Sequence, residues 1–137
     1  MSRTAAQPVT KASKTPARCF EDLVAWQRAR VLVREVYTAT RAGLFARDFA
    51  LSNQIQRSAV SVMANIADGA ERMHPKEFHQ FLATAKASCA EVRSHLYVAL
   101  DTGYIKQDQF EHLMALADET ARIIGGLRVA VAKRAQA

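Results

Sequence analysis

The sequence predicts an all-α fold, an antiparallel up-down-up-down four-helix bundle. Its 137 residues have the length of one domain, and half of them are apolar. Glycine and proline are scarce, at 5 and 3 residues, which favours helices over strands. Apolar residues recur at spacings of three and four along four segments joined by short links. No segment alternates apolar and polar residues between turn signals, so no sheet is predicted.

The first 18 residues are rich in Ser, Thr, Ala, Pro and Lys and predict a disordered basic tail, whereas residues 19–137 predict the bundle. The basic residues of the tail are Arg3, Lys11, Lys14 and Arg18, and the tail has no acid. The net charge of +6 therefore comes mostly from the tail, since the bundle holds 15 of the 19 basic and all 13 acidic residues. Such a tail can hold an anionic polymer, but a solvated terminus is the favoured interpretation.

The first predicted helix begins near Glu21 and Asp22, two acids that suit the positive end of a helix dipole. Gly43 is expected to end this helix as its C-terminal cap. The second helix begins near Asp48, a good N-cap, and runs to residue 67 or 68, with Gly69 as its stop.

The third predicted helix begins at Pro75, because a first helical turn tolerates proline, and it stops at Gly103. The fourth begins near Gln107 and continues through Gly125 and Gly126, although each glycine costs about 1 kcal/mol relative to alanine inside a helix. A close backbone approach and a local bend both explain this pair. The links are too short for a crossover, so consecutive helices should be antiparallel.

Polar residues recur along the second helix at helical spacing, as its apolar residues do, and we call such a row a polar line. It consists of Gln54, Ser58, Ser61 and Asn65, at spacings of four, three and four. The third helix repeats these spacings with Thr84, Ser88, Glu91 and His95. Short hydrogen-bonding groups suit a buried or interfacial position, where an exposed face would carry Lys and Glu.

We therefore expect the two polar lines to face each other and to fix helix register or subunit contact. The residues assigned to this polar seam, at an oligomer interface, are Gln54, Ser61, Asn65, Ser88 and Glu91. The alternative interpretation is a polar pocket that holds a small ligand.

Basic residues on the first two helices form the candidate nucleic-acid-binding site. They are Arg28, Arg30, Arg34, Arg41 and Arg57. The spacing of Arg30, Arg34 and Arg41 allows them to share one helix face, and an oligomer would repeat their weak phosphate contacts. An ordinary solvated face is the alternative. Aromatic residues interleaved with this charge, as in single-strand binders, are not apparent.

The sequence predicts neither an enzyme nor a bound metal or cofactor. Glu91 and His95 lie one turn apart, a spacing that suits metal ligation or acid–base chemistry, but further ligands and a nucleophile are not evident. Cys19 and Cys89 form no CxxC pair, which fits a reducing cytoplasm. No apolar run approaches the roughly 18 residues of a membrane span.

Several short segments follow one another along the chain, and their ordered succession is specific although any one of them alone is not. They are Phe20-Glu21-Asp22-Leu23, Trp26-Gln27, Gln54-Ile55-Gln56-Arg57, Asn65-Ile66-Ala67-Asp68-Gly69, Glu77-Phe78 and Gly103-Tyr104-Ile105. This succession resembles the four-helix bundle proteins encoded within intervening sequences of bacterial large-subunit ribosomal RNA genes. The chain departs from that family at Asp68, where glutamate is usual, and at Ser58, where a basic residue is common.

The resemblance implies a four-helix bundle, and relatives that assemble into ring-like homopentamers. A related branch, the accessory protein of diversity-generating retroelements, works with a reverse transcriptase and binds nucleic acid. The implied partners are further copies of the chain, nucleic acid and a protein such as a reverse transcriptase, with no membrane.

These observations together predict a non-enzymatic, homo-oligomeric bundle that binds structured RNA through a repeated basic surface. The alternative is a protein-interaction adaptor or scaffold without nucleic-acid binding. A small-molecule binder that uses the polar seam is a third hypothesis.

Overall fold

The computed structural model describes residues 19–136. Within this range there are four α-helices and no strand: α1 is Val24–Thr40, α2 is Phe49–Glu71, α3 is Pro75–Asp101 and α4 is Gln107–Ala135. Each helix packs against the next one in the chain, and α1 also packs against α4. This arrangement is an up-down-up-down four-helix bundle, so the predicted fold class is confirmed. The tail predicted to be disordered, residues 1–18, lies outside the described residues.

Buried apolar side chains from all four helices form a core of two clusters. The cluster that includes the α1–α2 and α3–α4 links contains Leu32, Phe45, Ile55, Leu96 and Leu113. The cluster toward the other end contains Ala29, Ile66, Leu82, Cys89 and Ile124. Each fully buried Leu, Ile or Phe stabilises the fold by about 1.5–3 kcal/mol. Among residues 19–136, no helix combines the length and the apolar character that crossing a membrane requires.

The α1–α2 and α3–α4 links are tied together at one end of the bundle. Asp48 caps α2 by accepting a hydrogen bond from the backbone N–H of Leu51 at 3.0 Å. Its second carboxylate oxygen accepts one from the hydroxyl of Tyr104 at 2.9 Å. The Tyr104 ring stacks on buried Phe45, with ring centroids 5.4 Å apart. The prediction that Asp48 caps the second helix is therefore confirmed.

Gly69 does not end α2, so that prediction is wrong. The helix continues to Glu71, and Gly69 is buried inside it. A Cβ atom at Gly69 would lie 2.7 Å from Cβ of Phe81 and 2.9 Å from Cδ1 of Phe78. The glycine is therefore needed for the close approach of α3, which a single sequence does not reveal.

The start of α1 also differs from its predicted position. The predicted acids Glu21 and Asp22 lie in a separate 3₁₀ turn, Phe20–Asp22, and the extended backbone of Leu23 separates this turn from the helix. Leu23 packs against the core cluster at this end of the bundle. The helix α1 ends at Thr40 with Arg41 as its C-cap, so the prediction that Gly43 caps it is wrong. Gly43, with a φ of 58°, instead begins a short 3₁₀ helix, Gly43–Arg47.

The helix α4 passes through Gly125 and Gly126 without interruption. Within the described part of the chain, a Cβ at Gly126 would meet no atom within 4 Å. A Cβ at Gly125 would meet only the side chain of Lys86, at 3.5 Å, an ordinary contact. A close backbone approach therefore does not explain this glycine pair.

Candidate nucleic-acid interface and polar seam

The side of α1 that faces α2 carries three of the predicted arginines. Residues spaced by three or four fall on one side of a helix, so Arg30, Arg34 and Arg41 lie together. Tyr37 continues the same spacing between Arg34 and Arg41, and it is half-buried, whereas the three arginines are exposed. Gln56 of α2 donates a hydrogen bond to the hydroxyl of the neighbouring Thr40 at 2.8 Å.

An open depression of about 470 Å³ lies between α1 and α2, and Tyr37 is the residue of α1 that lines it. The residues that line it are Tyr37, Asn53, Gln56, Arg57, Val60 and Ser61. Arg57 thus comes to the same side of the bundle as Arg30, Arg34 and Arg41, and we call these four residues the arginine face. Tyr37 was not predicted to belong to this site. The sequence does contain a signal for Tyr37: it lies between Arg34 and Arg41, at helical spacing from both.

The arginine face is largely unneutralised. Within residues 19–136, Arg30, Arg41 and Arg57 form no ion pair. The guanidinium of Arg30 lies 5.8 Å from the ring centroid of Trp26. Nε of Arg34 lies 3.8 Å from a carboxylate oxygen of Glu35, at the surface. The charge of this face is therefore available to an anionic partner.

Arg28, the fifth predicted arginine, lies on the other side of α1, toward α4. Its Nη2 donates a hydrogen bond to Oε1 of Glu119 at 3.0 Å. Glu35 lies on the same side, 3.5 Å from Nε2 of His112. Because Arg28 pairs with an acid on another helix, the structure does not bring it together with the arginine face.

The two polar lines meet at the contact between α2 and α3 within one chain. The hydroxyl oxygens of Ser61 and Ser88 are 2.9 Å apart, and the hydroxyl of Ser58 donates to Oε1 of Glu91 at 3.0 Å. The Asn65 side-chain amide donates to the backbone carbonyl of Ser61 at 2.8 Å and to its hydroxyl at 3.0 Å. These bonds hold α2 and α3 in one register.

Burial decreases across the polar seam from the core toward the surface. Ser58 and Ser88 are buried, Ser61 and Asn65 are half-buried, and Gln54 and Glu91 are exposed. The side chain of Gln54 forms no hydrogen bond within the described range, although its backbone carbonyl accepts one from the Ser58 hydroxyl at 3.0 Å. The seam therefore opens onto the outer surface of the α2–α3 layer. A role between protomers stays a prediction.

The outer surface of the α2–α3 layer beside the seam carries small, uncharged residues. We call these the small-residue face: Val60, Ala64, Ala87, Ala90 and Ser94, all exposed. The outward side of α4 carries exposed charges instead, such as Glu111 and Arg122. Small side chains allow the backbone of another helix to come close.

The groups that suit metal or thiol chemistry lie apart in this fold. Among residues 19–136, no three His, Cys, Asp or Glu side chains gather into a possible metal site. The carboxylate of Glu91, one of the two candidate ligands, instead accepts the hydrogen bond from Ser58. Burial raises the pKa of the Cys89 thiol to about 11, so this thiol is protonated at neutral pH.

The geometry defines a class of protein: a small antiparallel four-helix bundle with one arginine face and a polar seam between α2 and α3. The family model described as 23S rRNA-intervening sequence protein matches residues 21–126, which is most of the chain. The chain therefore belongs to this family, and the resemblance read from the sequence is confirmed.

A solved structure has the same fold. It is a crystal structure of a protein with unknown function from the S23 ribosomal protein family of Bacteroides thetaiotaomicron VPI-5482. The superposition has a TM-score of 0.70 at 21% sequence identity and covers 77% of this chain and 98% of that chain. A comparison with curated proteins gave no match.

Proposed function

We propose that this protein is a non-enzymatic, homo-oligomeric bundle that binds structured RNA through its arginine face. The observation that carries the proposal is the clustering of four exposed arginines on one side of α1 and α2, with one surface acid paired to them among residues 19–136. Unpaired guanidinium groups bind phosphates and release counterions, which drives binding to nucleic acid. The family description, 23S rRNA-intervening sequence protein, says where such proteins are encoded, so the choice of RNA as the ligand rests on the arginine face.

Self-association through the small-residue face completes this proposal. Ala64, Ala87 and Ala90 have short, uncharged side chains that allow close helix packing between protomers. In a ring of five, as the resemblance implies, the arginine face is repeated, so that weak phosphate contacts combine. We place this function in the cytoplasm, where the free thiols of Cys19 and Cys89 stay reduced.

The test is the salt dependence of RNA binding by the full-length protein. Affinity for a labelled RNA hairpin should fall steeply as salt rises from about 50 to 200 mM. A variant with Arg30, Arg41 and Arg57 replaced by glutamine should bind more weakly at low salt. For this variant, the slope of log affinity against log salt concentration should be smaller in magnitude by about 0.9 for each duplex phosphate contact that is lost.

Two control variants separate the arginine face from general positive charge. The first replaces three exposed basic residues on α3 and α4 by glutamine and so has the same net charge: Lys86, Arg122 and Lys133. The second replaces the basic residues of the tail: Arg3, Lys11, Lys14 and Arg18. Both controls should keep most of the affinity and the salt slope. Absence of RNA binding by the parent protein at low salt, or equal losses in all three variants, would favour the adaptor hypothesis, with a protein partner such as a reverse transcriptase.

A further inference from the structure

An exposed aromatic side chain lies between Arg41 and Arg57 of the arginine face in the chain. Phe49, the first residue of α2, is 73% exposed, and Leu44 in the preceding link is 61% exposed. Burying a phenylalanine contributes about 1.5–3 kcal/mol to stability, and this bundle forgoes that contribution at Phe49. The ring is therefore presented to solvent, where it is available to another molecule.

Phe49 lies at the edge of an open depression of about 630 Å³. The residues that line this depression, which we call the Phe49 site, are Leu44, Arg47, Asp48, Phe49, Ala50 and Tyr104. The Tyr104 ring is fixed by its stacking on Phe45 and by its hydrogen bond to Asp48. The walls therefore come from the α1–α2 link, from the first turn of α2 and from Tyr104 in the α3–α4 link.

The charges at the Phe49 site favour an anionic ligand. Arg47 is exposed and forms no ion pair with any residue in the range 19–136. The lining acid, Asp48, directs its two oxygens to the N–H of Leu51 and the hydroxyl of Tyr104. Arg47 follows Arg41, a member of the arginine face, in the same segment between α1 and α2.

We propose that the Phe49 site binds an unpaired nucleobase of the RNA that the arginine face holds. The base stacks on the ring of Phe49, and Arg47 contacts an adjacent phosphate. This inference rests on the proposed function and narrows its ligand to RNA with a bulge or loop. Unpaired bases at such places are free to turn out and stack on aromatic side chains, and single-strand sites combine these rings with positive charge. An apolar protein segment would use Phe49 and Leu44 but would not need Arg47.

The experiment compares two RNA probes on the full-length protein: a perfect duplex, and the same duplex with one unpaired adenosine. The parent protein should bind the bulged RNA more tightly. Phe49→Ala should weaken binding to the bulged RNA by about fivefold or more, the loss expected when one base stack is removed, and leave duplex binding unchanged. Phe49→Trp should keep the preference because it keeps a ring, whereas Phe49→Leu should lose it.

The variants should fold, because Phe49 is mostly exposed, and circular dichroism checks this. Val129→Ala, at a residue that is 58% exposed on α4, is a matched apolar control that should change nothing. Equal affinity of the parent protein for the two probes, or a preference kept by Phe49→Ala or Phe49→Leu, overturns this inference alone. A changed sedimentation profile of Phe49→Ala with an intact RNA preference overturns it in favour of a contact between copies. Failure to bind either probe at low salt overturns the proposed function as well.

Discussion

At the scale of single residues, Gly69 fixes how two helices pack and Asp48 fixes how two links are held together. Gly69 sets how closely α3 approaches α2, because a side chain there would meet Phe81 and Phe78. Asp48 ties the two links at one end through its bonds to Leu51 and Tyr104. Both roles lead to measurable effects on stability.

Replacing Gly69 by alanine should destabilise the protein. The added Cβ would lie 2.7 Å from Cβ of Phe81, an atom too close to the backbone to move freely. Overpacking of this kind costs about 1–3 kcal/mol, and alanine gains only roughly 1 kcal/mol over glycine inside a helix, so the net loss should be up to about 2 kcal/mol. Urea unfolding gives the free energies. Gly126→Ala has the same helix gain and no clash, so it should stabilise; equal stabilisation by both changes would contradict the close approach.

The stability contribution of Asp48 should depend on pH. Hydrogen bonds from the Leu51 N–H and the Tyr104 hydroxyl hold the pKa of this carboxyl below its ordinary value in the folded state. The unfolded chain therefore takes up the proton first as the pH falls. The contribution is complete above the ordinary aspartate pKa of about 3.9 and is lost as the pH falls through the lower folded pKa.

The measurement for Asp48 is the difference in unfolding free energy between the parent protein and Asp48→Asn at a series of pH values. The advantage of the parent protein should be full at neutral pH and should shrink on acidification. Tyr104→Phe removes one cause of the lowered pKa, so this variant should show a smaller pH dependence. A difference between parent and Asp48→Asn that stays constant with pH would show that the charge of Asp48 does not matter.

At the scale of helices, the polar seam and the arginine side of α1 each meet a particular neighbouring helix. The seam on α2 faces α3, where Ser61 and Ser88 bond to each other, whereas the arginine side of α1 faces α2. Spacing in the sequence predicts which residues share a helix face, because each residue turns the helix by a constant angle. It does not predict which neighbouring helix that face meets. Arg28 meets Glu119 of α4, whereas Tyr37 lines a depression with residues of α2.

The bond between Ser61 and Ser88 should appear in a double-mutant cycle. Ser88 is 6% exposed, so Ser61→Ala leaves a buried hydroxyl without this partner and should cost about 1–3 kcal/mol. Ser88→Ala should cost less, because the Ser61 hydroxyl that it leaves behind is half-buried and still accepts a hydrogen bond from Asn65. The double variant should cost less than the sum of the two, with a coupling of about 0.5–1.5 kcal/mol in urea unfolding. Strict additivity would mean that the two hydroxyls do not depend on each other.

At the scale of the whole molecule, the sides of the bundle differ in charge. The arginine face lies along α1 and α2, and the small-residue face covers the outside of α2 and α3. Both faces share α2, so an oligomer that packs through the small-residue face would place arginine faces beside the protomer contacts. This arrangement links self-association to the proposed RNA binding.

A charge on the small-residue face should dissociate the proposed oligomer. Ala87 is exposed on α3, and glutamate is a good helix former, so Ala87→Glu should leave the fold of the monomer intact. Burying the new carboxylate between protomers would be unfavourable, so sedimentation should detect a smaller species. Ala115→Glu, at an exposed alanine on α4, is the matched control and should not change the profile. An unchanged profile for Ala87→Glu would place the protomer contact elsewhere.

The sequence by itself determined that this protein is an all-α bundle, which residues form its apolar lines, and that Gln54, Ser61, Asn65, Ser88 and Glu91 share polar lines at helical spacing. These features are local, since helix periodicity and caps depend on neighbouring residues in the chain. Only the tertiary structure decided that Gly69 lies under Phe81, that Arg28 pairs with Glu119, and that Phe49 is exposed. Such contacts depend on how distant helices pack, and the spacing within one helix carries no information about its neighbours.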